Sequence, residues 1–319
     1  MTQVAIGIDI GGTTSDFAFV DRDGQCLARG TMRTDIHANF QSYLDDLIQS
    51  IDATRAEFGG ELEVVGCGVG APNANYFTGT VMDAPNLSWK GTVPVAQMVA
   101  ERLGVPTVLT NDANAAALGE MLFGSAQGLK DFILVTLGTG LGTGFVSGGN
   151  LIYGHDGFAG ELGHVIVEPG GRECGCGRRG CLETYVSVTG LMRTARELLK
   201  QQGVSEMAGV SVAELRGEDV NRAALAGDEL ALETFARTGE RLGLALANAV
   251  AITSPKAIVL FGGLVAAGDL ILDPTRAAFE KNLLNIYTGV DLTLSGMKGS
   301  DAAVQGAAAL SWMELEEQS

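Results

Sequence analysis

The chain has 319 residues, of which 46% are hydrophobic, with a formal net charge of −17. This length fits two domains of ordinary size, and the acidity argues against binding to nucleic acid or an anionic membrane surface, because both need clustered cations. The sequence has no signal peptide and no apolar run long enough for a membrane span. Its five cysteines lack the spacing of a secreted disulfide scaffold. We therefore expect a cytoplasmic protein.

In chain order, the first predicted element is a strand–turn–strand–turn–strand unit over residues 3–30, and a similar unit covers residues 131–154. Both carry apolar strands and turns of Gly and Thr. Two such units, more than a hundred residues apart, predict a duplicated domain plan rather than a solenoid.

Helices and strands alternate through the rest of the chain. Apolar spacing predicts helices over 38–58, 184–201 and 227–253, and further helices follow the strands VPTVLTND and KAIVLFGG. This alternation predicts an α/β fold with largely buried sheets. We expect a first lobe over 1–112 and a second over 113–300, with a cleft between them and the C-terminal helix, 301–319, packing back on the first lobe.

Two glycine turns are candidates for phosphate binding, because glycine lets backbone N–H groups approach a ligand closely. The first is DIGGTT, in which Asp9 ends a strand and would lie near a metal ion; the second is LGTGLGTG. The alternative is a pair of simple hairpin turns. Neither turn is a Walker loop, and both lack Lys and Arg, so Mg²⁺ and backbone amides would neutralise the phosphate charge. The residues concerned are Gly11, Gly12, Thr13, Thr14, Gly138, Thr139 and Gly140.

Two further strand ends carry candidate residues. Asn111 and Asp112 lie where a strand meets a helix, a common ligand position in α/β sheets. Asp112 is either the base that takes a proton from a hydroxyl or the N-cap of the following helix. Gly262 and Gly263 would let a nucleotide approach the backbone, although a generic tight turn is an equal alternative.

Three of the five cysteines crowd into residues 172–183. With His164, the thiols of Cys174, Cys176 and Cys181 make a Cys₃His set, which closes a tetrahedral zinc site. A redox disulfide and free thiols are the alternatives. Four protein ligands predict a structural zinc ion.

Glu161 and Glu183 flank this motif, and zinc would fix both carboxylates and the imidazole in one rigid patch. Such a patch suits a neutral polyol. The alternative is that the two carboxylates are simply solvated.

Taken together, the segments DIGGTT, APNLSWKG, TNDANAA, ELGH and CGCGRRGCLE resemble the ROK family of sugar kinases and repressors, within the sugar kinase–Hsp70–actin superfamily. The resemblance extends along nearly the whole chain and is greatest to the glucokinases. It implies a two-lobed, ribonuclease H-like fold with a duplicated βββαβαβα plan and a central cleft.

The resemblance also implies site residues: Asp112 as catalytic base, with Asp9 and the two glycine turns at the phosphates and Gly262 and Gly263 near adenosine. The implied sugar contacts are Gly70, Asn86, Asn111, Asp112, Glu161, His164 and Glu183.

The function expected from these motifs is transfer of the ATP γ-phosphoryl group to O6 of glucose, with Mg²⁺ and a structural zinc ion, in a homodimer. The alternatives are a kinase for N-acetylmannosamine, fructose or allose, or a non-catalytic sugar-responsive repressor. A repressor would carry a helix-turn-helix before the first glycine turn, whereas here the first strand begins within a few residues of Met1. The sequence therefore favours the kinase.

Overall fold

The computed structural model describes residues 1–202, 205, 207, 214–297 and 301–317. The strands are β1 (Thr2–Ile10), β2 (Thr14–Val20), β3 (Cys26–Arg33), β4 (Leu62–Gly70), β5 (Ala74–Asn75), β6 (Thr80–Met82), β7 (Thr92–Val93), β8 (Thr107–Thr110), β9 (Phe132–Leu137), β10 (Leu141–Ser147), β11 (Asn150–Leu151), β12 (Ala257–Phe261) and β13 (Asp291–Leu294). The helices are α1 (Phe40–Glu57), α2 (Val95–Leu103), α3 (Asp112–Phe123), α4 (Val188–Gln202), α5 (Gly217–Leu225), α6 (Glu229–Thr253), α7 (Asp269–Asn282) and α8 (Asp301–Glu317).

Two five-stranded sheets carry the fold, and their strand orders correspond position by position. The first has the order β3-β2-β1-β4-β8, and the second has the order β11-β10-β9-β12-β13. The hairpin strands of each repeat lie at one side of a sheet, and two later strands continue it. The α/β class and the duplicated plan expected from the sequence are therefore confirmed.

The chain divides into two compact units. The first comprises residues 1–130, 144–160 and the described residues from 295 onward; the second comprises 131–143 and the described residues of 161–294. The boundary expected after residue 112 differs from this division, because α3 packs on α8 through the close approach of Gly119 to Gly306 and stays in the first unit. Residues 298–300 and 318–319 of the expected segments lie outside the described residues.

In the first unit, both faces of strand β1 are buried. One face carries Val4, Ile6, Ile8 and Ile10, which pack in a core with the apolar side of α1. The opposite face carries Ala5 and Gly7, which receive α8, as expected from the two-residue period of a strand. A Cβ atom on Gly7 would lie 1.9 Å from the carbonyl oxygen of Val304, so only glycine permits this approach.

Helix α1 forms where the apolar spacing predicts a helix. The six residues at helical spacing are all buried: Phe40, Tyr43, Leu44, Leu47, Ile48 and Ile51. Its N-cap is Asn39, whose side chain accepts a hydrogen bond from the Ser42 amide, as N-cap residues typically do.

In the second unit, β9 and β13 flank β12, and both pair with it in parallel. Helices α6 and α7 pack tightly because Gly243 allows the α7 backbone to approach; a Cβ there would lie 2.4 Å from the Thr275 oxygen. Three short 3-10 turns carry His164, Glu183 and Gly263. They lie at Leu162–His164, Leu182–Thr184 and Gly263–Ala267.

Candidate active site

The carboxyl edge of the first sheet collects several of the expected residues. Strands β1, β4 and β8 run parallel, with Asp9 opposite Gly70 and Gly70 opposite Thr110. Asn111 and Asp112 follow directly after β8. A Cβ on Gly70 would lie 3.8 Å from both the Asp112 Cα and the Asp9 Oδ1 atom. Parallel pairing therefore brings Asp9, Gly70 and Asp112 together, as expected where parallel strands end.

The structure separates the two interpretations of Asp112. The N-cap of α3 is Asn111, whose Oδ1 accepts a 2.7 Å hydrogen bond from the Asn114 amide. Asp112 is the first residue of the helix, and its Oδ1 accepts a 2.8 Å hydrogen bond from the neighbouring Ala113 amide. The capping role belongs to Asn111, and its side-chain amide nitrogen is the group that would face a ligand.

The two aspartates sit in an electrostatically unfavourable arrangement. Burial, together with the charges of Asp112 and Asp16, raises the pKa of Asp9 to about 7. Burial also raises the pKa of Asp112, against the hydrogen bond from Ala113, although the side chain keeps contact with solvent. A divalent cation would relieve this repulsion, so the pair fits a Mg²⁺ site built from oxygen ligands.

The first glycine turn lies beside the segment that carries Asn86. Gly11 donates a 3.0 Å backbone hydrogen bond to the Thr14 oxygen, which closes the turn. A Cβ on Gly12 would lie 2.6 Å from the backbone oxygen of Asn86. Thr13 and Thr14 are exposed, and their hydroxyls are free to face a ligand. The backbone of Asn86 therefore packs closely against the turn that follows β1.

The second unit places its own glycine turns side by side. Strands β9 and β12 are parallel neighbours, with Thr136 opposite Phe261, so the turns after them emerge at the same sheet edge. Gly262 has φ +109°, and a Cβ on it would lie 2.6 Å from the Leu137 oxygen. Gly138, exposed Thr139, Gly140 and exposed Gly263 follow these strands. The sheet therefore builds one glycine surface, which fits a nucleotide.

The four expected metal ligands come together. One ligand atom from each of His164, Cys174, Cys176 and Cys181 lies within 4.8 Å of all the others. The Cys174 Sγ is 3.6 Å from the His164 Nδ1, and the sulfurs of Cys176 and Cys181 are also 3.6 Å apart. A tetrahedral zinc ion separates a sulfur and a nitrogen by about 3.6 Å and two sulfurs by about 3.8 Å. The donor set therefore fits zinc.

Electrostatics around the thiols also fit a cation. Burial raises the pKa of Cys174 to about 12. Burial also acts to raise the pKa of Cys176, but hydrogen bonds from Arg178, Cys174 and Cys181 together outweigh it and lower that pKa to about 6. Arg178 also donates a 2.9 Å hydrogen bond to the His164 oxygen. Three thiolates on Zn²⁺ carry one net negative charge, which this guanidinium would balance.

The ring of His164 faces two ways. Its Nδ1 faces the thiols, and its Nε2 lies 3.9 Å from the Glu161 Oε2. Glu183 turns inward instead: its Oε2 accepts from the Leu141 amide at 3.2 Å, and its Oε1 is 3.6 Å from the Cys174 Sγ. Glu161 and His164 are thus partly open to a ligand, while Glu183 is tied to the second glycine turn.

Two residues of this region were not singled out from the sequence. Asp16 contributes to the raised pKa of Asp9, and Arg178 lies against Cys176. The signals were present, since DIGGTTSD places a second acid in the next strand and CGRRGC places arginine between two ligands.

The profile of the ROK family matches residues 5–313 of this chain. The chain belongs to the ROK family. A glucokinase of Halalkalibacterium halodurans is 36% identical, and the match covers 94% of this chain and 92% of that protein. A ROK glucokinase of Streptomyces griseus, solved in complex with glucose and AMPPNP, has a TM-score of 0.81 and 34% identity over 97% of this chain and 99% of its own.

This ROK chain is also similar to repressors, with lower identity and coverage. A xylose repressor of Caldicellulosiruptor bescii is 31% identical over 77% of this chain and 62% of its own length. The two units have the fold of the ROK sugar kinases. In the described part of the ROK chain, no helix combines the length and hydropathy needed to cross a membrane.

Proposed function

We propose that this ROK protein is an ATP-dependent glucokinase, which transfers the γ-phosphoryl group of ATP to O6 of glucose. The observation that carries the proposal is the position of Asp9 and Asp112 on either side of Gly70 at the carboxyl edge of the first sheet, in a chain 34% identical to a glucokinase solved with glucose and AMPPNP. The use of ATP and the acidic net charge agree with a cytoplasmic location.

In the proposed reaction, Asp112 takes the proton of the O6 hydroxyl as that oxygen attacks the γ-phosphorus in line. The O6–phosphorus bond forms, the bond from phosphorus to the β-phosphate oxygen breaks, and ADP leaves with its electron pair. A carboxylate with a raised pKa is the stronger base, so the raised pKa of Asp112 favours proton transfer. Proton transfer to a positioned base contributes about 10²–10⁴-fold to the rate.

The other residues bind and orient. Gly70, Asn86, Asn111, Glu161, His164 and Glu183 are the proposed sugar contacts, with Asn111 offering its side-chain nitrogen. Backbone amides of the Gly11–Thr14 and Gly138–Gly140 turns would bind phosphate oxygens, apart from the Gly11 and Gly138 amides, which donate within their own turns. Gly262 and Gly263 would lie near adenosine. Asp9 would hold Mg²⁺, which supplies charge stabilisation of the transferred group when bound. Zinc at the Cys₃His set would order the loop, and we expect a homodimer, detectable by light scattering as twice the mass of one chain.

A coupled ADP-release assay tests the proposal over glucose, mannose, fructose, allose, N-acetylglucosamine and N-acetylmannosamine. We expect glucose to give the highest kcat/KM, because a site that binds hydroxyls through buried polar groups discriminates strongly when one partner is lost. If fructose or N-acetylmannosamine led by tenfold, the enzyme would be a kinase for that sugar. ADP release with none of the sugars would overturn the kinase assignment itself.

A further inference from the structure

Both segments that carry the zinc ligands contact the second glycine turn. After the last cysteine, Glu183 accepts a 3.2 Å hydrogen bond from the Leu141 amide, and the Val188 amide donates a 2.9 Å hydrogen bond to the Gly138 oxygen. The turn is therefore held from both of its ends by residues 183–188.

The segment that ends at His164 contacts the same turn. A Cβ on Gly163 would lie 2.5 Å from the Leu141 oxygen, and the Leu162 amide donates a 3.3 Å hydrogen bond to the Thr143 hydroxyl. The two ligand segments are joined to each other, because Ile166 pairs with Cys181 in a β-bridge. The turn and the cluster thus form one packed body within the second unit.

The Glu183 side chain contacts both the zinc-ligand cluster and the second glycine turn. It stands two residues after the fully buried ligand Cys181, in the 3-10 turn Leu182–Thr184, and its Oε1 is 3.6 Å from the Cys174 Sγ. On the other side, a Cβ on Gly140 would lie 2.5 Å from its Oε2. There is no room for a side chain between the carboxylate and the turn.

We propose that Glu183 is a positioning residue that couples the zinc cluster to the phosphate-binding turn, so that the metal controls nucleotide affinity and the nucleotide in turn helps retain the metal. The proposal rests on the proposed function, because it takes the turn as a phosphate site. An ion at the cluster would fix Cys181 and hence the backbone of Glu183, and Glu183 fixes the Leu141 amide. Such coupling between two binding sites is reciprocal by thermodynamic necessity.

The first experiment measures the affinity of MgAMPPNP by calorimetry, without sugar. Removal of zinc by a chelator and the substitution Glu183→Ala should each weaken binding by roughly tenfold, the loss of one charge-assisted hydrogen bond. Glu183→Gln keeps an acceptor for the Leu141 amide and should restore most of the affinity. The matched control is Glu173→Gln in the same loop, whose exposed side chain pairs with Arg179 and makes no contact with the turn; it should bind as the parent does.

The second experiment measures the rate of zinc release to a chromogenic chelator. Gly140→Ala would push against the Glu183 carboxylate and should speed release, whereas Gly138→Ala, where a Cβ meets nothing within 4 Å, should not. In the Glu183→Ala background, Gly140→Ala should have no further effect. MgAMPPNP should slow release from the parent but not from Glu183→Ala.

Nucleotide affinity that is unchanged by zinc removal and by Glu183→Ala would overturn the coupling, as would equal zinc release from the two glycine variants. A failure of the proposed function looks different. In that case the parent protein releases no ADP with any sugar, or does not bind MgAMPPNP at all.

Discussion

At the scale of the residue, the helix cap and the proposed base are two different residues, Asn111 and Asp112. Asn111 caps α3, so Asp112→Asn should leave the helix intact and cost little stability. Asparagine can still bind a sugar hydroxyl but cannot usefully accept its proton. We expect kcat to fall about 10²–10⁴-fold, with glucose affinity by calorimetry much less affected.

A matched control for this substitution is Asp228→Asn. Asp228 is the N-cap of α6, where its Oδ1 accepts from the Ala231 amide, and asparagine caps equally well. That variant should keep the parent's turnover. A kcat for Asp112→Asn within a few-fold of the parent would rule out the role of base.

The raised pKa of Asp9 predicts a pH dependence of stability. Because this pKa is about 7 in the folded chain and near 3.8 otherwise, the folded state holds a proton that the unfolded state releases at lower pH. The unfolded chain therefore binds fewer protons between about pH 4 and pH 7, and the contribution of Asp9 to stability falls as the pH rises through this window.

Asp9→Asn cannot ionise, so its melting temperature relative to the parent should rise from pH 4 to pH 7 and then level off. Scanning calorimetry in the presence of EDTA measures this difference. A difference for Asp9→Asn that stays flat from pH 4 to pH 7 would contradict the raised pKa.

At the scale of the element, residues 172–183 form a loop closed by backbone hydrogen bonds, two isolated β-bridges and the start of a 3-10 turn, and this loop carries three of the four zinc ligands. Protein purified without added metal should contain about one zinc ion per chain by elemental analysis. Cys176→Ser should lose that zinc and much of the glucose affinity, because metal binding and loop order are linked.

The control for the loop is Cys26→Ser, which changes a half-buried cysteine outside the cluster and should keep the metal. A parent protein that is folded and active without any bound metal would exclude a structural zinc ion.

The elements differ in how far the sequence reveals them. Helix α1 and the glycine turns follow from local patterns, because apolar spacing and glycine content act within a few residues. The zinc-ligand set could also be predicted from the sequence, since three cysteines and a histidine within eighteen residues are typical of a metal site. Helix α5 and strand β13 were not predicted, because their short apolar patterns resemble those of loops. The tie between Glu183 and Leu141 joins residues far apart in sequence, so only the folded structure shows it.

At the scale of the whole molecule, α8 and the first sheet depend on glycines at their contact. A Cβ on Gly68 would lie 1.8 Å from the Ala307 oxygen, so Gly68→Ala must push α8 away from β4. We expect the free energy of unfolding, measured by denaturant titration, to fall by about 1–3 kcal/mol, as in other overpacked cores.

Gly175→Ala is the matched control, because a Cβ there meets nothing within 4 Å and its φ is not in the left-handed region. Its unfolding free energy should stay within a few tenths of a kcal/mol of the parent value. Equal stability of the two variants would mean that α8 does not seal the sheet as closely as described.

The packing of α8 on the first sheet has a consequence for the folding of the nascent chain. Strand β1 ends at Ile10, whereas α8 begins only at Asp301, so the helix is synthesised long after the strand that it covers. Until α8 is synthesised, Ala5, Ala18 and Val20 on that side of the sheet lack their contacts with Val304, Ala308 and Trp312. The nascent chain therefore exposes part of this apolar surface until α8 is synthesised, and such transient exposure favours aggregation over folding.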